Sequence, residues 1–291
     1  MHRTLRPFEL LEPESIPEAL QYLSKCGAKG KVLAGGLDLI QKMRRWQIKQ
    51  PACLVSIRRI PGLNYIRGGN GRGLRIGPMT SIRALELSPE VKEGFPVLWE
   101  AAHQIASIQV KTMGTVIGNL CVATPASDIA PVLYILGAKL RIAGPDGKKT
   151  VAIEDFFIPV CQNILEPDQF VTELTIPAIP AGSGAAFMKL AHTKACIARV
   201  NAAAMVTMAD GVCKQARIAL GAVAPTVIRA SKTEKLLRGK KLDKALIAEA
   251  GELAAKESKP ISDLRGSAWY RKEMVAVLVR RALELAAERA K

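Results

Sequence analysis

The stretch Lys31-Val32-Leu33-Ala34-Gly35-Gly36-Leu37-Asp38-Leu39 decides the fold. Lys31 to Ala34 reads as a short strand, the diglycine as a turn, and Asp38-Leu39-Ile40 as the opening of a helix. Such a unit aims backbone N–H groups, unobstructed by side chains, from the positive end of a helix dipole, which suits a phosphate or pyrophosphate. A diglycine alone more often marks only a tight connection. Upstream, Ser15 followed by Glu18 is a capping-box pattern with Pro17 in the first turn. A helix therefore starts there, carries Ala19, Leu20 and Leu23, and ends at Cys26-Gly27. Downstream, Leu54 to Ile57 predicts a buried strand, and Asn64 to Ile76, with Asn70-Gly71 at its middle, predicts a hairpin.

Further along, a helix is expected from about Pro89 to Ile108, leading into a turn-rich apolar stretch from Met113 to Pro131. Gly114, Gly118, Pro125 and Pro131 keep that stretch out of any single regular element. Strands follow around Ala138 to Ile142 and Thr150 to Ile153, joined by Pro145-Asp146-Gly147, with another extended stretch from Phe170 to Ile176. Pro177, Pro180, Gly182 and Gly184 mark a domain boundary. Beyond it, Ala185 to Leu190, Val200 to Met208 and Ala216 to Val223 read as three strands, Asp210-Gly211 turning the second into the third. Helices occupy Lys244 to Lys256 and Ser267 to Ala290, so the fold class is α+β, without internal repeats.

A chain of 291 residues, 49% apolar and 23% charged, suits one large or two ordinary domains with a sizeable core. Its net charge of +16 suits a polyanion, an acidic protein or an anionic ligand. Aromatic residues are only 4%, too few for base-stacking platforms, which argues against nucleic acid. Apolar runs such as Ala202 to Met208 fall short of the ~20 residues of a membrane span. The N-terminus lacks an apolar signal core, so a cytoplasmic location is expected. Cysteines 26, 53, 121, 161, 196 and 213 form no Cys-x-x-Cys pair and read as small hydrophobes in a reducing compartment, with no metal site. His2, His103 and His192 form no triad or metal spacing, and no catalytic side chain is assigned.

A second stretch carries chemistry: Gly114-Thr115-Val116-Ile117-Gly118-Asn119, then Ala123-Thr124-Pro125-Ala126-Ser127-Asp128. Small residues permit close backbone approach, and Thr115, Asn119, Ser127 and Asp128 supply hydroxyl, amide and carboxylate partners for a planar or phosphorylated ligand. Alternatively, those side chains satisfy the loop's own backbone.

Together the two stretches resemble the FAD-binding (medium) subunits of molybdenum hydroxylases, a group that includes xanthine dehydrogenase and aerobic carbon monoxide dehydrogenase. Lys31 to Leu39 resembles the first FAD loop, and Thr115 to Asn119, with Pro125 and Asp128, resembles the second. The resemblance continues through Gly221-Ala222-Val223-Ala224-Pro225 and Ser262-Asp263-Leu264-Arg265-Gly266-Ser267-Ala268-Trp269-Tyr270-Arg271, and so spans essentially the whole chain. It implies a vanillyl-alcohol-oxidase (PCMH) type FAD-binding domain at residues 1–178, made of two α/β subdomains at about 1–57 and 58–178. It also implies a C-terminal α+β domain of the carbon monoxide dehydrogenase flavoprotein type at 183–291, with a three-stranded antiparallel sheet and helices.

The resemblance further implies FAD contacts at Lys31, Val32, Leu33, Ala34, Gly35, Gly36, Leu37 and Asp38, with Ala34 to Asp38 at the pyrophosphate. Thr115, Val116, Ile117, Gly118 and Asn119 would lie along the flavin and its linker, and Asp128, with Ser127 beside it, would hydrogen-bond near the nucleotide. Ile105, Val171 and Lys189 fall at further contact positions, the last as a cation near the flavin ring or diphosphate. Ile117 departs from the family's Thr-Ile-Gly-Gly-Asn by filling its first glycine: either it points away and FAD binds normally, or the flavin is shifted or weakly held. His192-Thr193-Lys194-Ala195-Cys196 stands where the family commonly carries arginines, which leaves the electron acceptor open, and Cys196 reads as an inert thiol.

The implied function is the electron outlet of a heterotrimer. A molybdenum-cofactor large subunit oxidises the substrate, and a small subunit with iron-sulfur clusters passes electrons to FAD. The flavin then releases them to NAD, a quinone, oxygen or a carrier protein. A flavin-deficient structural subunit and a self-sufficient flavin oxidase are the alternatives.

Overall fold

A computed structural model describes residues 4–69 and 71–290. The chain opens with β1 (Glu9–Leu11), α1 (Ile16–Cys26), β2 (Gly30–Leu33), α2 (Leu37–Arg44) and β3 (Cys53–Ser56). Ser15 caps α1 by accepting from the Glu18 amide at 3.3 Å, and the Glu18 carboxylate reaches back to the Glu14 amide at 2.8 Å. The buried face of α1, Ala19 and Leu23, packs with Val55 and Ile57. The three strands are parallel in the order β1-β3-β2, with Leu33 opposite Ser56. The turns that follow β2 and β3 therefore leave the same edge of the sheet.

Cys26 and Cys53 form a disulfide, their Cα atoms 6.3 Å apart, which corrects the reading of all six cysteines as thiols. The end of α1 and the start of β3 meet beside Gly30, where a Cβ would stand 2.7 Å from that of Cys26. Cys121, Cys161, Cys196 and Cys213 are free, and only the last is buried.

The middle of the chain holds a hairpin, β4 (Ile66–Gly68) and β5 (Leu74–Ile76), whose turn includes Gly69 and Gly71; Asn70 lies outside the described residues. Six short helices follow: α3 (Ile82–Leu87), α4 (Pro89–Gly94), α5 (Pro96–His103), α6 (Ile108–Met113), α7 (Val116–Cys121) and α8 (Ile129–Ile135). The single helix expected from Pro89 to Ile108 is broken. Pro96 has no N–H to donate and forces Phe95 out of the helical region, at φ −140°, ψ 57°. Strands β6 (Lys139–Gly144), β7 (Gly147–Ala152), the small pair β8 (Phe157–Ile158) and β9 (Gln162–Asn163), and β10 (Phe170–Ile176) complete this part. The antiparallel sheet runs β4-β5-β10-β6-β7, and the helices close over it on Leu85, Leu98, Leu120, Leu133, Leu140 and Leu174.

The remaining elements are β11 (Ser183–Leu190), β12 (Val200–Ala209), β13 (Val212–Gly221), β14 (Ile228–Arg229), α9 (Ser231–Leu237), α10 (Lys244–Glu257) and α11 (Ala268–Arg289). Their antiparallel sheet has four strands in sequence order, not the expected three, because two-residue β14 is too short to leave a periodic signature. The alanine run of β12 is buried on both faces. Ala202, Ala204 and Val206 join the core under α10 and α11, whereas Ala203 and Met205 join the core around α8. One strand thus serves two cores by its two-residue alternation. The α+β class holds throughout, and among the described residues no helix is long and apolar enough to cross a membrane.

Candidate functional site

The two stretches singled out in the sequence touch. Gly35 lies so close to the second that a Cβ there would overlap the Met113 carbonyl oxygen and stand 3.2 Å from the Gly114 Cα. Gly36, the N-cap of α2, is left-handed at φ 77°, ψ −4°, a conformation that strains an L side chain. The first α2 amide with an acceptor is that of Ile40, donating to Gly36 at 3.0 Å. The amides of residues 37–39 have none among the described residues and are free for a ligand at the dipole's positive end. Lys31 is exposed, and Val32, Leu33, Ala34, Gly35, Gly36, Leu37 and Asp38 are partly exposed. The Asp38 carboxylate pairs with Lys42 at 2.7 Å, one turn along α2.

The second stretch is inward-looking. Thr115 caps α7 by accepting from the Gly118 amide at 3.0 Å, and a Cβ on Gly118 would stand 2.6 Å from that same Oγ1. Val116 donates to the Thr80 carbonyl at 3.0 Å and Ile82 to that of Gly114 at 2.9 Å, tying the cap to α3. Ile117 is helical and only 4% exposed, so its side chain sits in the main core. Ser127 donates its hydroxyl to the Asn119 side-chain oxygen at 2.8 Å and accepts from the Ala130 amide at 3.2 Å. Thr115 and Ser127 are thus spent on the loop's own backbone, and Asn119 on Ser127. Val116, Ile105 and Val171 are core residues.

Asp128 and Lys189 meet behind the second stretch in a buried pair, with Oδ2 to Nζ at 2.6 Å. The ammonium also donates to the Gln104 carbonyl at 3.1 Å, and Asn201 donates to the other Asp128 oxygen at 3.1 Å. Burial raises the Asp128 carboxyl above its ordinary value, with the Lys189 charge and the Asn201 hydrogen bond opposing it. Lys189 therefore directs its charge at Asp128, neither to solvent nor to an open cleft.

Comparison with known proteins agrees with this construction. Residues 6–179 match the family described as the FAD binding domain in molybdopterin dehydrogenase, and residues 185–286 match the CO dehydrogenase flavoprotein C-terminal domain. This chain belongs to the molybdopterin dehydrogenase FAD-binding family. It is 37% identical to the carbon monoxide dehydrogenase medium chain of Afipia carboxidovorans over 98% of both chains. To the 6-hydroxypseudooxynicotine dehydrogenase complex subunit alpha of Paenarthrobacter nicotinovorans it is 30% identical over 98% of this chain and 96% of that one. Among solved structures, carbon monoxide dehydrogenase from Hydrogenophaga pseudoflava superposes with a TM-score of 0.93 at 35% identity, covering 98% of this chain and 99% of the other.

The residues of this family member fit a dinucleotide: bare backbone at Gly35 and Gly36, unengaged amides at α2, and an Ile117 side chain turned into the core. Within the C-terminal motifs quoted above, Arg271, Asp263 and Ala222 make structural contacts. Arg271, buried, donates to the Ala222 carbonyl at 3.1 Å and pairs with Asp263. Left-handed Ala222 in turn donates to the Pro125 carbonyl at 2.7 Å, which joins the last domain to the second stretch.

Sequence reasoning missed the cluster that holds α6, the helix feeding Gly114. Buried Glu86 accepts from Lys111 at 2.7 Å, Arg83 at 2.7 Å and His103 Nδ1 at 2.8 Å. Burial alone would raise its carboxyl, but the hydrogen bonds from Lys111, Arg83 and His103 outweigh it and bring the value down to about 2. Only Arg83 and Glu86, three apart, carried a sequence signal. His103 is thereby placed as a structural residue, whereas His2 lies outside the described residues. A groove of about 510 Å³ near Ser15, Leu20 and Lys148 lies apart from both stretches and is mostly apolar.

Proposed function

We propose that this chain is the FAD-binding electron-outlet subunit of a multi-subunit molybdenum hydroxylase. It would accept electrons from an iron-sulfur small subunit, downstream of a molybdenum-cofactor large subunit, and pass them to an external acceptor. The observation that carries this reading is the contact of Gly35 with Met113-Gly114, which makes one cleft wall of two distant stretches. When bound, FAD supplies the capacity to take electrons singly and release them singly or in pairs.

The residues of the chain bind and orient. The backbone from Ala34 to Asp38 would hold the diphosphate, with Lys31, Val32 and Leu33 as further contacts of the first loop. The backbone of Thr115, Val116, Ile117, Gly118 and Asn119 would lie along the flavin and its linker, and Ile105 and Val171 would back it from the core. Asp128, beside Ser127, would hydrogen-bond near the nucleotide. Lys189 acts as a positioning residue that fixes the Asp128 carboxylate through their 2.6 Å contact. Residues 1–178 would form the FAD-binding domain, with subdomains at about 1–57 and 58–178, and residues 183–291 the C-terminal domain.

A net charge of +16 supports a salt-sensitive docking of the acidic face of a partner. The relatives are named for different substrates, and on this reading substrate choice belongs to the molybdenum subunit. A cytoplasmic setting goes with this reading, and the Cys26–Cys53 disulfide, uncommon in such a setting, is checked by thiol titration of freshly lysed cells.

The visible absorption spectrum and the flavin stoichiometry of the chain, alone and with its partner subunits, test the proposal. Near-stoichiometric FAD is expected in the complex. A complex without flavin would overturn the reading in favour of a structural subunit, an alternative that the core position of Ile117 leaves unsupported.

A further inference from the structure

Resting on that reading, we propose that Arg58 binds the diphosphate of the dinucleotide at the first loop. Strand register sets the juxtaposition. Leu33 and Ser56 are paired neighbours at the ends of parallel β2 and β3, so Ala34-Gly35-Gly36 and Ile57-Arg58-Arg59 emerge side by side. They emerge at the carboxyl edge of the sheet, where α/β units take their ligands.

Arg58 Nε donates to the Ala34 carbonyl at 3.4 Å, which places the guanidinium beside the glycine turn. Its two terminal nitrogens have no partner among the described residues. The neighbouring Arg59 differs: it is neutralised by Glu12 at 3.1 Å. In the loop itself, the Asp38 charge is matched by Lys42. Beside the glycine turn, Arg58 is thus an unmatched planar cation against a row of free backbone amides. A guanidinium presents paired N–H donors to two phosphate oxygens, and the amides supply the opposing donors. The same chemistry would also suit the phosphate of a nucleotide acceptor, so the experiment must separate the two sources.

The test titrates the deflavinated full-length chain in its complex with FAD and, separately, with riboflavin, following flavin fluorescence. Arg58→Ala should raise the FAD dissociation constant about tenfold, the usual size of one lost charge-assisted hydrogen bond, and change riboflavin binding less than about twofold. Arg58→Lys should recover part of the loss. Equal losses for FAD and riboflavin would make Arg58 merely a brace for Ala34 and overturn the proposal. So would unchanged FAD affinity, including the case in which only ADP binding to the FAD-loaded complex weakens. A wild-type complex that takes up no FAD would remove the electron-outlet reading as well, whereas a failure confined to the variants removes this inference alone. Arg58 is exposed, and matching thermal melts establish that the variants fold.

Discussion

The two stretches that meet at Gly35 and Met113 are built differently. The first is open and presents its backbone: Gly36 is left-handed, Gly35 tolerates no Cβ, and the Asp38 carboxylate is occupied by Lys42. The second is closed: Thr115 and Ser127 bond their own loop, and Ile117 is sealed in the core. A glycine is thus irreplaceable where chain passes against chain, and replaceable where the backbone is helical and the side chain has a core to enter. That explains how the family's usual first glycine of the second loop can be isoleucine here.

The sharpest way to break this contrast is Ile117→Gly. It should cost about 5 kcal/mol, combining loss of a buried side chain with ~1 kcal/mol for glycine in a helix. It should bring no gain in FAD occupancy, and an increase in bound flavin would show that the isoleucine obstructs the cofactor. Urea denaturation and flavin release measure both.

Next is Glu86→Gln, which leaves Lys111 buried without its counter-charge and should cost about 3–4 kcal/mol at pH 7. The pH profile carries a sign. The Glu86 carboxyl is lowered in the folded state to about 2, so its contribution is present above the ordinary glutamate range and is lost as pH falls toward about 2. The gap in stability between wild type and variant should therefore narrow between about pH 4.5 and pH 2. A constant gap would mean that the carboxylate is not what holds the second stretch in place.

Gly35→Ala is expected to cost about 2 kcal/mol through forced separation of the two stretches, and to weaken FAD more than riboflavin. The smallest effect belongs to Asp38→Asn, a half-exposed pair whose loss should shift stability by less than about 0.5 kcal/mol and leave FAD affinity within about twofold. A large loss of FAD in that variant would mean that the first stretch works through its side chains after all.

What the sequence carried was periodic or local. The cap at Ser15, the strand-turn-helix around Gly35-Gly36 and the long helices of the last domain all depend on neighbours a few residues apart. The break at Phe95-Pro96 was also written locally, in a proline that an apolar run disguised. By contrast, Glu86 with Lys111, Asp128 with Lys189, and Cys26 with Cys53 join residues far apart, and no spacing rule links such partners. For the same reason Lys189 looked like a strand lysine available to a ligand, until the carboxylate opposite it was in view. The Asp263-to-Arg271 run was conspicuous as a motif, yet only the fold shows that its arginine secures the Ala222 turn.

The bond from the Ala222 amide to the Pro125 carbonyl, 2.7 Å long, has a use of its own. That amide belongs to the C-terminal sheet's margin, but its acceptor belongs to the second stretch. Its rate of exchange with deuterium therefore reports how often the last domain parts from the second stretch. A single slow amide could follow the breathing of the site in the apo and loaded chain alike.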